Sequence, residues 1–271
     1  MNDALALAQA VQRNETSVLR AMFTADPAIA RRFGIETRSV AGAMCITDRA
    51  FPIPLLHRAV GFGVLSDANA ATLDRIVRFF ASRGLPARVE LAEGIAPGGA
   101  VRLLERAGFR RERERHHIHV LETAEVPVAP GVPRVRIARA GAARFGRAVR
   151  DGFEASGDLG LLFERASAAH VRAQPDRAVP LVALVDRAVV GTGLLWLSPR
   201  VGGLYSGSAL EAYRGRGLQL ALIAERIRIG LQRRRRIFTS QTGGDNASAH
   251  NLHDCGFRVL YESAYFVRET T

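Results

Sequence analysis

Lysine is absent from the chain: all 38 basic residues among its 271 are arginine, set against 26 acidic ones for a formal net charge of +12. Replacement on that scale reads as codon bias toward Arg, Ala and Gly rather than as a surface built for polyanions. The arginines are also dispersed. Those at 110–115 alternate with glutamate, and those at 233–236 close a helical pattern, where cations favour the helix dipole. No aromatic residues are interleaved with them to stack on bases, which argues against nucleic acid as a partner. Cysteine is scarce too. Cys45 and Cys255 lie far apart and show no metal-ligand spacing, so they form no disulfide framework of the secreted kind and read as reduced packing residues. No apolar run approaches the ~20 residues needed to span a bilayer, and the start M-N-D-A-L-A-L lacks the basic segment and long apolar core of a signal peptide. The expectation is a cytoplasmic protein with no membrane partner.

What is present is a globular composition, 48% hydrophobic and 24% charged, and enough length for two cores. A weak repeat divides it. The stretch L-L-E-R-A-G-F-R at 103–110 aligns with N-L-H-D-C-G-F-R at 251–258, an offset of 148 residues that also superposes strand-like runs at 88–91 and 236–239. Two copies of one α/β unit account for this. The Pro-rich V-P-V-A-P-G-V-P at 126–133 can sustain neither helix nor central strand and reads as a linker. The expected boundaries are therefore 1–125, a linker at 126–134, and 135–271.

Periodicity gives the elements. In the first unit, helical patterns at 4–11 and 16–23 precede strands at 39–47 and 56–64. A helix at 70–82, a strand at 87–91, a helix at 98–107 and a strand at 116–121 follow. In the second unit, a strand at 135–138 precedes helices at 142–153 and 161–171. A hairpin then runs 181–185 and 189–197 around Asp186-Arg187, followed by a strand at 204–210, a helix to about 232, a strand at 237–240, a helix at 247–254 and a strand at 259–267. The fold class is α/β with a mixed sheet.

The sharpest motif sits between the strand at 204–210 and the helix after it: E-A-Y-R-G-R-G-L-Q at 211–219. A glycine-rich turn opening a helix leaves backbone N–H groups unpaired where the helix dipole is positive, which makes an anion seat. Gly215 and Gly217 allow close approach, and Arg214 and Arg216 add charge. At the repeat offset the first unit has Ser66-Asp67-Ala68-Asn69-Ala70-Ala71 there, with no glycine or arginine, and Asp67 would repel a phosphate. Only the second unit keeps the seat.

These residues resemble the GNAT-type N-acetyltransferases, and the whole chain resembles a tandem GNAT. The family's pyrophosphate loop is Arg or Gln, two residues, Gly, one residue, then Gly or Ala. Arg214, Gly215, Arg216, Gly217 and Leu218 fit it, and Gln219 replaces the last small residue. The resemblance covers about 135–268; in the first unit it rests on 103–109. It implies acetyl-CoA as cosubstrate with no metal, and transfer of the acyl group to a small-molecule or peptide amine. It further implies pantetheine pairing along Ser208, Ala209 and Leu210, and a coenzyme contact from Asn246, which would also cap the helix at 247–254. The family's thiolate-protonating Tyr corresponds to Leu252, which cannot donate a proton, so Tyr205 and Glu211 become the acid and base candidates. His250 and His253 read as surface residues, and His116, His117 and His119 lack a third ligand for a metal. Because of Leu252 and Gln219, a non-catalytic acyl-CoA-binding or sensing protein stays open beside the enzyme.

Overall fold

The computed structural model describes residues 2–51, 53–129 and 134–269. The first half opens with helix α1 (Asn2–Thr24) and helix α2 (Pro27–Phe33), followed by strands β1 (Glu36–Val40), β2 (Ala43–Thr47) and β3 (Arg58–Phe62). Helix α3 (Ala70–Ala81), strand β4 (Ala87–Ala92), helix α4 (Ala100–Arg106) and strand β5 (Arg110–Glu122) complete it. Where two helical stretches were expected, α1 is one helix. The polar residues that interrupt its pattern, Gln12, Asn14 and Glu15, are themselves buried, so the inward face continues through them. Helix α2 was not foreseen. Asp26 caps it by accepting from the Ala28 and Ile29 N–H groups, Pro27 supplies its first position, and Gly34 ends it in the left-handed conformation.

The second half has strand β6 (Val135–Arg139), helices α5 (Ala142–Gly152) and α6 (Gly157–Ala173), then strands β7 (Ala178–Val185), β8 (Ala188–Leu197) and β9 (Val201–Ala209). Helix α7 (Leu218–Gln232), strand β10 (Ile237–Thr242), helix α8 (Ala247–Asp254) and strand β11 (Arg258–Arg268) finish it. Asp186 and Arg187 both have positive φ, 47° and 71°, the geometry of a two-residue hairpin turn. Apart from β6, the second half repeats the first element for element. Of the expected linker, 126–129 has no regular structure and 130–133 lies outside the described residues.

All eleven strands form one mixed sheet in the order β1-β2-β3-β4-β11-β5-β10-β9-β8-β7-β6. The two halves exchange their last strands: β11 pairs with β4 through Ser263↔Ala92 to Arg268↔Ala87, and β5 pairs with β10 through Ile237↔Glu122 to Thr242↔His117. Strands β5 and β11 also pair with each other. One apolar core lies under α3 and α4, around Phe80, Leu91 and Phe266. A second lies under α7 and α8, around Leu195, Leu222 and Phe238. A third joins the halves by packing α1 and α2 against α5 and α6 over Trp196. There the Trp196 indole N–H donates to Ser17 Oγ at 2.7 Å, and Asn14 Nδ2 donates to the Val201 carbonyl at 3.1 Å.

Candidate active site

Strand β9 runs parallel to β10 for only three pairs, Ile237↔Val201, Phe238↔Gly202 and Thr239↔Gly203. Beyond them β9 continues along β8 to Ala209, and β10 continues along β5 to Thr242. The last link is a side chain, Ser240 Oγ donating to the Leu204 carbonyl at 3.1 Å. A bulge in β9 widens the gap: Ser206 has φ 48°, and the register with β8 shifts between Thr192 and Leu194. A cleft of about 320 Å³ results, walled by Gln219, Ile223 and Arg226 of α7, by Asn246 and Asn251 around α8, and by Leu55 and His116 of the first half.

Helix α7 opens onto this cleft. Its N-terminal residue Gly217 has φ 76° and no side chain caps the helix; Gly215 has φ 71°, and a Cβ there would meet nothing within 4 Å. The first-turn N–H groups therefore have no side-chain cap, the arrangement that suits an anion. The equivalent helix α3 is closed, because Asn69 Oδ1 accepts from the Thr72 N–H at 2.8 Å. The sequence contrast between the two turns is thus a contrast between an open and a capped helix.

The expected binding residues fall as follows. Arg214 Nε donates to the Ala209 carbonyl at 3.2 Å, and its Nη2 pairs with Glu154 at 2.5 Å. Arg216 is exposed, its guanidinium 5.5 Å from the Tyr213 ring centre. Leu218 is buried and anchors α7. Gln219 turns into the cleft with its buried Nε2 lacking a partner, as does Gln241 of β10. The Ser208 hydroxyl is buried against Thr192 Oγ1 at 2.6 Å, and the Leu210 N–H already donates to the Val190 carbonyl at 3.0 Å. Asn246 caps α8, accepting from the Ser248 and Ala249 N–H groups, while also bordering the cleft.

The expected acid and base separate. Tyr205 borders the cleft, and its hydroxyl donates to Asn14 Oδ1 at 2.8 Å. Burial holds its pKa well above the usual phenol value, with the Glu15 carboxylate adding to the shift. Glu211 lies in an exposed 3-10 turn, Glu211–Tyr213, outside the cleft lining. Leu252 is a core residue, and His250 and His253 are exposed. No group of three His, Cys, Asp or Glu side chains suited to a metal occurs among the described residues.

Sequence reasoning missed three groups. Arg226 is buried on α7, its Nε donating to the Leu222 carbonyl at 2.9 Å, with no carboxylate partner among the described residues; burial pulls its pKa down to about 10. Its signal was present: it follows Leu218 and Leu222 at four-residue spacing, on the buried stripe of the helix. His116, brought in by the exchanged β5, meets Tyr265 Oη through Nδ1 at 2.8 Å, and burial lowers its pKa. Glu15 belongs to a buried network. Arg58 Nη2 donates to Glu15 Oε1 at 2.5 Å, Arg58 Nε to Glu90 Oε2 at 2.6 Å, and Ser263 Oγ to Glu90 Oε1 at 2.5 Å. Burial, then the neighbouring Glu90 charge, pushes the Glu15 pKa up to about 7.

Known proteins resemble the chain in part of its sequence and in its fold. Residues 152–257 match the model of the acetyltransferase (GNAT) family. A search of curated proteins found no match. Among solved structures, the chain resembles a tandem GNAT protein from the clavulanic acid biosynthesis pathway, at 13% identity and a TM-score of 0.69, over 100% of this chain and 96% of that one. It resembles a GCN5-related N-acetyltransferase from Kribbella flavida at 16% identity and a TM-score of 0.62, over 93% and 94% of the two chains. Another, from Sphaerobacter thermophilus, aligns at 15% identity and a TM-score of 0.58, over 85% and 81%. Residues 152–257 are thus similar to the GNAT family, and the fold of the whole chain is like that of a tandem GNAT protein.

Proposed function

We propose that the chain is an N-acetyltransferase that moves an acetyl group from acetyl-CoA directly to an amine, with residues 135–271 carrying cosubstrate and chemistry. Residues 1–125 form a degenerate GNAT-like unit joined through 126–134. The observation that carries this reading is the parting of β9 from β10 beside the uncapped, glycine-lined start of α7. Orphaned amide donors on Gln219 and Gln241 in the same cleft favour a polar ligand there.

Acetyl-CoA, when bound, supplies the activated thioester. The chain's own part begins at Arg214, Gly215, Arg216, Gly217 and Leu218, whose amides and charges hold the pyrophosphate. The edge of β9 at Ser208 and Ala209, freed from β10, aligns the pantetheine arm. Gln219 and Asn246 flank it. Preorganised donors facing the thioester oxygen in a desolvated cleft supply most of the rate gain, and Arg226 adds a fixed positive charge to that wall. Tyr205 keeps its proton at neutral pH and is an acid rather than a base, and giving that proton to the leaving thiolate means breaking its bond to Asn14 Oδ1.

The second reading, an acyl-CoA sensor without turnover, is favoured by Leu252 at the position where the family carries its acid. Titration calorimetry with acetyl-CoA and thiol release with an amine panel separate the two. Binding and turnover are expected, and Gly217→Glu, which places a carboxylate in the anion seat, should remove both. Absence of acetyl-CoA binding would sink both readings; binding without thiol release for any amine leaves the sensor.

A further inference from the structure

Behind the cleft, on the sheet face covered by α1, α5 and α6, lies a separate chamber of about 160 Å³. It joins the cleft at shared walls, Tyr205, Ser206, Gln241, Leu55 and Phe153. The remainder is apolar, with Leu19 and Met22 from α1, Val149 from α5 and Leu162, Phe163 and Ala166 from α6. Only Glu15, Ser167, Tyr205, Ser206 and Gln241 among its lining residues carry polar side chains. Resting on the acetyltransferase reading, we propose that this chamber is the acceptor site. It takes a primary amine on a hydrophobic body: the apolar part fills the chamber, and the ammonium pairs with the Glu15–Arg58–Glu90 cluster and gives one proton to Glu15. The freed nitrogen forms the new C–N bond as the thioester C–S bond breaks, and CoA leaves as the thiol with the second proton.

Two observations point to an amine rather than to an extended acyl chain. The first is charge. Arg58 is the one cation of the cluster and faces two carboxylates, Glu15 at 2.5 Å and Glu90 at 2.6 Å, so one negative charge is unbalanced when both are ionised. Of the groups around the cluster, Tyr265 from β11 keeps its phenol proton, His116 from β5 has its pKa lowered by burial, and Arg88 from β4 is paired with Glu112, while Glu114 adds negative charge near His116. A cation entering from the chamber side supplies the missing charge, whereas an acyl tail would lie against a carboxylate with nothing to offer it. The second is position. Tyr205, its hydroxyl fixed by Asn14, and Gln241 line both the chamber and the cleft, so the reacting nitrogen of a guest belongs at that passage and its apolar end inside. A polyamine or aminoglycoside would leave further charged or hydroxylated groups against Leu19, Met22 and Phe163 without partners.

The test uses the full chain and acetyl-CoA with four amines: hexylamine, 2-phenylethylamine, ethanolamine and putrescine. The hydrophobic pair is expected to give kcat/KM at least about tenfold higher than the polar pair, the scale set by a few buried methylenes. Ala166→Phe and Met22→Trp, which fill the chamber away from the coenzyme cleft, should each reduce that preference while acetyl-CoA affinity by calorimetry stays the same; retained affinity shows that the variant has folded. A parallel arm compares acetyl-CoA with hexanoyl-CoA. If hexanoyl-CoA is preferred and the filling variants remove that preference instead, the chamber holds the acyl chain and the proposal is overturned. Preference for ethanolamine or putrescine overturns it as well, as does acetyl-CoA binding with no turnover of either hydrophobic amine. Loss of acetyl-CoA binding in the parent protein is a different result, the failure of the acetyltransferase reading itself.

Discussion

At Arg58 one guanidinium holds two carboxylates from different elements, and all three side chains are buried. Removing the cation strands both acids in a low-dielectric interior, so Arg58→Ala is expected to destabilise the fold by about 3–5 kcal/mol in urea titrations. Glu15→Gln removes one charge and keeps an acceptor for Arg58, and should cost much less. Arg226 is a different case, because its partners are backbone carbonyls. Arg226→Met leaves no buried acid unpaired, and the circular dichroism spectrum should be unchanged. If its charge serves the cleft, kcat/KM should nevertheless fall at least about tenfold. Residues of these two kinds also differ in how readable they were. The uncapped turn at Arg214, Gly215 and Gly217 could be read from the sequence because its glycines are a local motif. Glu15 and His116 could not, since the place of one in the chamber and the other in the cleft depends on α1 crossing to the other half and on β5 joining β10.

Elements repeat between the halves, but their ends decide what they can bind. Helices α3 and α7 occupy equivalent positions; Asn69 closes the first and Gly217 leaves the second open. Apolar periodicity made α3 readable and the glycine turn marked the start of α7, as the Asp186-Arg187 pair made the β7–β8 hairpin readable. Helix α2 escaped because its seven residues are too few for periodicity, although Asp26, Pro27 and Gly34 marked both ends. Helix α6 carries a further consequence in His170, buried 5.7 Å from the Trp196 ring, where loss of solvation pulls its pKa down to about 4. The unfolded chain takes up this proton near pH 6.5 and the folded one only near 4. The contribution is complete above pH 6.5 and is lost as pH falls toward 4, by up to about 1.4 kcal/mol per pH unit. His119 follows the same sense with a pKa near 4, while Glu15, raised to about 7, opposes it. A difference measurement isolates His170: relative to the parent, His170→Phe should gain stability between pH 7 and pH 5, seen as a rise in its relative urea midpoint. A constant offset at both pH values would refute the burial of a neutral imidazole there.

For the whole molecule, the exchange of β5 and β11 is the governing fact. The sequence repeat showed two equivalent units. It could not show which unit completes which, because each last strand offers the same pattern to either sheet. Strand β4 finds its outer neighbour only in β11, and β10 finds its own only in β5. Fragments 1–129 and 134–271 produced separately are therefore expected to expose unpaired strand edges and to aggregate or remain partly unfolded. Mixed or co-expressed, they should recover the far-ultraviolet spectrum and elute as one complex. Two fragments that each melt cooperatively on their own would show that exchange is not required for folding. The order of synthesis gives the same feature a temporal meaning. A ribosome releases the first half long before residues 258–268 exist, so β4 must wait with a bare edge while everything after it is translated. The early half of this chain cannot close behind the ribosome, and its last strand to be made completes the sheet of the half made first.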